Sequence, residues 1–337
     1  MNKVTLAYIP YIFTRTSEVE PKMKFTTDSY MEIGNSHNIC EDYTISGNIG
    51  EMSQSDDGNI PYIIVSDGCS SSKMTDFGSR IMAHSCKKML NKSYWNGEMQ
   101  EMLKDSTFGT DERRFHAYLA GAINQNAMNV MDQFGLPYTV CDATLLYAFI
   151  YKGMLYVRGY GDGNMLIKVN PSKEEADLVW HHLSYESNGP YYLSYEMDLI
   201  RKRIYMEDPR FGKVPFTVEK HGSECLVPDD SVTYPSTECF SYTIQAENVL
   251  SITLASDGAE SYHHSAKRLS EDPPSQVEKD TLKGFGLMKR IVAYKNHKGE
   301  FVKRRMKKLK QEVEKIQAEH YDDVSCATIW IDHVKES

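Results

Sequence analysis

Ile63-Ile64-Val65-Ser66-Asp67-Gly68 is a short β-branched run that stops at an aspartate, with a glycine behind it. The same order returns at Ile252-Thr253-Leu254-Ala255-Ser256-Asp257-Gly258, and a third version, Leu155-Tyr156-Val157-Arg158-Gly159-Tyr160-Gly161-Asp162-Gly163, lies between them. Short apolar runs bounded by turn residues read as buried strands. A carboxylate at the end of such a strand is held rigidly at the rim of the core. One Asp-Gly is merely a common turn pair, but three with matching strands upstream ask for a shared purpose. Rim carboxylates in that number invite a hard, oxygen-seeking cation such as Mg²⁺ or Mn²⁺.

Outward from this run the chain reads as alternating strands and helices. Residues 1–24 read as an N-terminal extension in which Leu6 to Phe13, broken by Pro10, suits an edge strand. Lys24 to Gly34 and Asp42 to Ser46 read as strands, and Gly47 to Asn59 as a loop. After Gly68, Thr75 and Asp76 are candidate caps for a helix from about Phe77 to Lys92, with Ile81, Met82, Cys86, Met89 and Leu90 as its apolar stripe. Asp111 to Phe134 repeats that pattern. Cys141 to Ile150, Met154 to Gly159 and Met165 to Val169 read as a meander turning at Lys152-Gly153 and at Gly161-Asp162-Gly163. Residues 170–246 lack clean periodicity and read as further strands and long loops. Glu247 to Ala255 returns to strand, His263 to Leu282 reads as an exposed loop, and Phe301 to Glu319 as a charged helix with a narrow apolar stripe. The Lys303 to Lys310 cluster is the solvated face of that helix. Ser325 to Ile331 is the last strand.

Bulk composition narrows the function classes. The 337 residues carry a net charge of −9, so no basic excess exists to neutralise phosphates, and no nucleic-acid partner is expected. Seven scattered cysteines include no Cys-x-x-Cys pair, which points to reduced thiols in a cytoplasmic protein. The longest largely apolar run, Ala143 to Tyr151, is about half of what a membrane helix needs, and no membrane partner is expected.

Five landmarks in order carry a family resemblance: Glu41-Asp42 after Gly34-x-Ser36-His37, Val65-Ser66-Asp67-Gly68, Gly161-Asp162-Gly163, Ala255-Ser256-Asp257-Gly258, and Asp322-Asp323-Val324-Ser325. Together they resemble the metal-dependent protein phosphatases of the protein phosphatase 2C type, closest to its bacterial branch. The resemblance implies an α+β fold, a four-layer αββα sandwich of two antiparallel sheets packed face to face with helices outside, over a catalytic domain of residues 25–335. It also implies two Mg²⁺ or Mn²⁺ ions with a third nearby. Asp67 would bridge the first two and the Gly68 carbonyl would complete one of them. Asp257 and Asp322 would hold the first, Glu41 the second with Asp42 in or near its shell, and Asp162 the third. The implied activity is a protein serine/threonine phosphatase whose nucleophile is a metal-bridging hydroxide and whose partner is a phosphorylated protein. Two positions depart from the family. His37 stands where an arginine usually grips phosphate, and a histidine offers no bidentate fork. Cys69 stands where the animal enzymes carry a histidine thought to protonate the leaving group. Lys73 and Arg158 are possible substitutes for the arginine. These departures keep open a catalytically weak, phosphatase-like binding or regulatory module as the alternative.

Overall fold

The computed structural model describes residues 23–49, 60–71, 74–91, 110–169, 176–185, 189–211, 216–222, 239–265, 269–270, 274–276 and 282–333. The organising run is β3 (Ile60–Ser66), buried along its whole length. Its alternation explains the layers. Ile60, Tyr62 and Ile64 face two helices, α1 (Thr75–Leu90) and α2 (Thr110–Phe134), whereas Ile63 and Val65 face a second sheet. Side chains of a strand point to opposite faces in turn, so a strand buried on both reads as an unbroken apolar run.

β3 belongs to a five-stranded sheet with β2 (Tyr43–Ile49), β4 (Leu145–Tyr151), β5 (Met154–Tyr160) and β9 (Phe240–Gln245), in the order β2-β3-β4-β5-β9. The facing sheet runs β1-β13-β10-β6-β7-β8, built from β1 (Met23–Glu32), β6 (Gly163–Val169), β7 (Asp177–Tyr185), β8 (Phe216–Gly222), β10 (Val249–Ala255) and β13 (Val324–His333). Adjacent strands in both are antiparallel. Leu146, Ala148, Leu155, Val157, Ile167, Ile252, Leu254, Ala327 and Ile329 fill the space between the sheets. On the far side of the six-stranded sheet lie α4 (Gly284–Ile291) and α5 (Phe301–Glu314), which bury Leu287, Met288, Val302, Met306 and Leu309 against Leu166, Trp180 and Cys326. The molecule is the expected αββα sandwich.

Several local expectations change. The third strand of the supposed meander leaves its sheet: β4 and β5 pair through Lys152-Gly153, but β6 pairs with β10 and β7 in the other sheet. Gly161-Asp162-Gly163 is therefore a crossover between sheets, not a hairpin turn. Gly161 has φ +88° and its missing Cβ leaves room for Thr144, which would otherwise stand 2.8 Å away. β2 runs on through Gly47 to Ile49. The residue capping α1 is Met74, in the left-handed region and without a side-chain cap, so Thr75 and Asp76 fall inside the helix. Residues 170–246 hold an unforeseen helix, α3 (Leu199–Glu207), capped by the Asp198 carboxylate. α4 was also unforeseen. The segment read as a loop from His263 begins in a short strand, β11 (Tyr262–His264), paired with β12 (Ala318–His320), and ends at a buried Leu282. Within the basic cluster Arg305 is buried, donating to the Arg290 carbonyl at 2.5 Å and paired with Glu312 at 3.1 Å. Leu6 to Phe13, Lys73, Cys225 and most of the Gly47–Asn59 segment lie outside the described residues.

Candidate metal centre

Strand registers collect the acids at one end of the sandwich. In the five-stranded sheet Tyr43 opposes Ser66, Leu146 opposes Val65 and Leu145 opposes Tyr160. The start of β2, the end of β3, the start of β4 and the end of β5 therefore share one end. In the six-stranded sheet Ala255 opposes both Cys326 and Asn164, so the end of β10 meets the starts of β13 and β6. The crossover at Asp162 ties the two ends together. Glu41, Asp42, Asp67, Gly68, Asp162, Asp257 and Asp322 all flank these termini.

Backbone clamps fix the two principal turns. The Asp67 N–H donates to Thr144 Oγ1 at 3.0 Å, and the Thr144 N–H donates to the Asp67 carbonyl at 2.8 Å. The Ser66 hydroxyl donates to the Thr144 carbonyl at 2.7 Å, Gly68 bridges Ala143, and the Cys69 N–H donates to the Asp142 carbonyl at 2.9 Å. Across the cleft the Ser256 N–H donates to the Ser325 carbonyl, the Ser325 N–H donates to Ser256 Oγ, each at 3.0 Å, and the Asp322 N–H donates to Ser261 Oγ at 3.1 Å. These bonds leave the acidic side chains little backbone freedom.

The acids meet one another. Burial, and then the neighbouring Asp42 and Asp257 carboxyls, push Asp67 well above the usual carboxylate range, and it is within hydrogen-bond reach of both. Asp42 is fully buried, and burial raises it to about 7 despite Asp67, Ser256 and Ser325 nearby. Neither of its oxygens makes a hydrogen bond of good geometry within the protein. Burial followed by Asp257, Glu260 and Asp322 raises Asp162 to about 7. Asp322 is raised too, by burial first and then by Asp257. Asp257 itself is exposed, so the cluster opens to solvent on one side. Like charges this close cannot all ionise without a counter-charge. Among the described residues no group of three or more His, Cys, Asp or Glu side chains stands so arranged that it could hold a metal ion. The donor chemistry still fits a hard divalent cation: every group is oxygen, and buried carboxylate oxygens short of donors are what such an ion satisfies.

The remaining predicted residues fall into place unevenly. His37 Nδ1 lies 3.1 Å from Asp323 Oδ2 and Nε2 lies 3.5 Å from Asp322 Oδ1. Burial alone would lower the imidazole, but Asp323, Asp322 and Glu41 outweigh it and hold the ring above its ordinary value. Glu41 is thus beside His37, on the Asp322 side of the cleft. Arg158 does not join the acids. It lies on the helix-facing side of β5 with Tyr147, Tyr160 and Cys239, and it donates to Ser241 Oγ and to Tyr160 Oη. The Cys69 thiol is 3.0 Å from Ser71 Oγ and meets the hydroxyl of Tyr192.

Three participants escaped the sequence reading. Tyr192 comes from the aperiodic stretch, whose loop is anchored by Ser194 and Arg201 on the Asp142 carboxylate at 2.6 and 2.7 Å. Glu260 adds negative charge beside Asp162. Asp323, next to Asp322, turns toward the Gly34–Glu41 loop. Only the Asp-Asp doublet hinted at Asp323, and neither of the others carries a local motif.

Residues 35–196 match the family model described as protein phosphatase 2C. No curated protein matches the chain. Among solved structures, the serine/threonine phosphatase Stp1 from Staphylococcus aureus is 11% identical, with 94% of this chain and 99% of that one covered at a TM-score of 0.48. The phosphatase domain of SpoIIE from Bacillus subtilis is 12% identical, with coverage of 95% and 97% and a TM-score of 0.39. PppA of Pseudomonas aeruginosa is 12% identical, with coverage of 91% and 98% and a TM-score of 0.39. The family match includes Glu41-Asp42, Asp67-Gly68 and Asp162; Asp257 and Asp322 lie beyond it and join the same cluster in the fold. The chain resembles the protein phosphatases of the 2C type, in the sequence over residues 35–196 and in its αββα architecture.

Proposed function

We propose that residues 25–335 form one catalytic domain that hydrolyses phosphoserine or phosphothreonine in proteins with Mg²⁺ or Mn²⁺. The observation that carries this reading is the meeting of Asp42, Asp67, Asp162, Asp257 and Asp322, drawn from five separate chain segments, at one open end of the sandwich. Folding such a set together without cations costs free energy through repulsion and desolvation. Asp67 would serve both ions, with Asp257 and Asp322 holding one and Glu41 the other. The Gly68 carbonyl and Asp42 would complete the pair, and Asp162 would suit a third ion. Two divalent ions would supply an activated water and neutralise charge on the phosphoryl oxygens. The exposed flank at Asp257 gives a phosphorylated segment its approach. His37, held by Asp322 and Asp323, presents a ring able to donate to the phosphoryl group or to the leaving oxygen.

Purified protein assayed on a phosphoserine peptide and on an aryl phosphate, with Mn²⁺ and after chelation, tests this. Turnover of the peptide that requires Mn²⁺ is expected. Mn²⁺ binding without turnover of either substrate would instead favour the regulatory module, and metal-independent turnover would defeat the mechanism.

A further inference from the structure

Asp323 is 2% exposed, and its carboxylate faces the loop that carries His37 and Glu41. Oδ1 accepts the Gly34 N–H at 2.7 Å, and Oδ2 accepts the Glu41 N–H at 2.5 Å. A single carboxylate thus ties both ends of an eight-residue loop, with His37 Nδ1 3.1 Å from the same Oδ2. Within its own segment, just ahead of β13, the Asp323 N–H donates to Asp322 Oδ1 at 2.8 Å. The loop has other anchors that do not involve Glu41: Ser36 Oγ donates to the Tyr321 carbonyl at 2.7 Å, and the Asn35 N–H donates to the His320 carbonyl at 3.3 Å.

We propose that Asp323 is a positioning residue, a carboxylate clip that holds Glu41 beside Asp322 and so couples the two halves of the metal centre. This rests on the metal-dependent reading given above. The chemistry explains why an acid is needed. A carboxylate accepts through both oxygens, whereas an asparagine side chain has one accepting oxygen and one donating nitrogen. Asparagine can therefore serve Gly34 or Glu41 but not both, and it forfeits the charge assistance of an N–H···O⁻ bond. The Asp323 N–H that orients Asp322 is backbone and survives any substitution. Loss of the clip is thus expected to weaken the ion that uses Glu41 and to spare the one that uses Asp257 and Asp322.

Mn²⁺ calorimetry on wild type, Asp323→Asn, Asp323→Ala, Glu41→Gln and Ser36→Ala provides the test, together with amide hydrogen exchange at Gly34 and Glu41 in metal-free protein. Groups that hold a metal ligand in place typically account for 10–100-fold of metal affinity. Asp323→Asn is expected to weaken one of two Mn²⁺ sites by about that factor, the same site that Glu41→Gln loses, and to speed exchange at both amides. Ser36→Ala, which loosens the loop without touching Glu41, is expected to leave both sites intact. If wild type binds two ions and Asp323→Asn binds both equally well, the clip is wrong and the metal reading stands. If Ser36→Ala weakens the same site as much, Asp323 is a general loop anchor and the proposal fails. Wild type that binds no Mn²⁺ at all overturns the metal reading and the clip with it. Asp323→Ala separates folding from positioning: a folded Asp323→Ala with an unaltered second site also refutes the clip.

Discussion

Gly258→Ala is the sharpest structural perturbation the site offers. Gly258 directly follows Asp257, and its α-carbon packs against the peptide of Asp323. A Cβ built there overlaps the Asp323 carbonyl oxygen and lies 2.8 Å from the carbonyl carbon, whereas ordinary contact begins near 3.4 Å. The obstacle is backbone, so no side chain can rotate aside. With the Asp323 carbonyl oxygen only 1.7 Å from that Cβ, the Asp322-Asp323 segment must retreat by more than about an ångström, and it carries a proposed ligand and the clip. Overpacking a tight site costs about 1–3 kcal/mol. For a chain of this size that corresponds to a fall in Tm of roughly 2–4 °C per kcal/mol or somewhat less. Because Asp257 and Asp322 move apart, Mn²⁺ affinity and turnover are expected to fall further than stability does. Gly121→Ala is the internal control. Nothing lies within 4 Å of a Cβ at that position, on the exposed side of α2, and alanine there is expected to stabilise by about 0.5–1 kcal/mol. Differential scanning calorimetry and Mn²⁺ titration read both variants. A Gly258→Ala protein with unchanged Tm and unchanged Mn²⁺ affinity would show that the two turns are not packed as described.

Other consequences follow from the same geometry. Asp67→Asn and Asp257→Asn are each expected to abolish Mn²⁺-dependent hydrolysis with native circular dichroism; unchanged turnover in either, at matched metal, counts against the site. His37→Ala is expected to slow a phosphoserine peptide more than an aryl phosphate, since an alkoxide leaving group needs a proton and general-acid help is worth about 10²–10⁴-fold. An equal loss in kcat on both substrates assigns His37 to gripping phosphate instead. In metal-free protein, Asp42 and Asp162, each raised to about 7, bind protons more tightly when folded than when unfolded. Their contribution is therefore fully present below about pH 4 and is lost as pH rises toward 7. Tm of chelated protein should fall across that window, and Mn²⁺ should restore it near neutrality; a flat profile with no Mn²⁺ response is incompatible with the buried acids.

Much of the architecture was legible because burial on both faces leaves a plain mark. β3 and β4 are near-continuous apolar runs, β10 keeps Ile252 and Leu254 on the face toward the other sheet, and α1, α2 and α5 show helical stripes that the core absorbs. The crossover at Gly161–Gly163 was not legible, since two glycines around an aspartate serve a hairpin as well as a jump between sheets; only the pairing of β6 with β10 decides. α3 and α4 are short, and α3 exposes Leu199, Ile200 and Ile204, so no buried stripe announces it. The acids at strand ends were readable from position alone. The roles of Asp323 and Tyr192 were not, because each depends on contacts with chain more than a hundred residues away. Arg158 illustrates the reverse error: strand parity alone puts it with Tyr156 and Tyr160, on the face opposite the inter-sheet core.

The end of the sandwich where Asp67, Asp257 and Asp322 meet is expected to hold divalent cations. Anomalous diffraction from crystals soaked in Mn²⁺, recorded at the manganese edge, locates such ions without reference to activity. Two strong peaks are expected, both in contact with Asp67, one shared with Asp257 and Asp322 and the other with Glu41. Absence of any peak at Asp67, or peaks only at other acidic surface groups, would contradict the account.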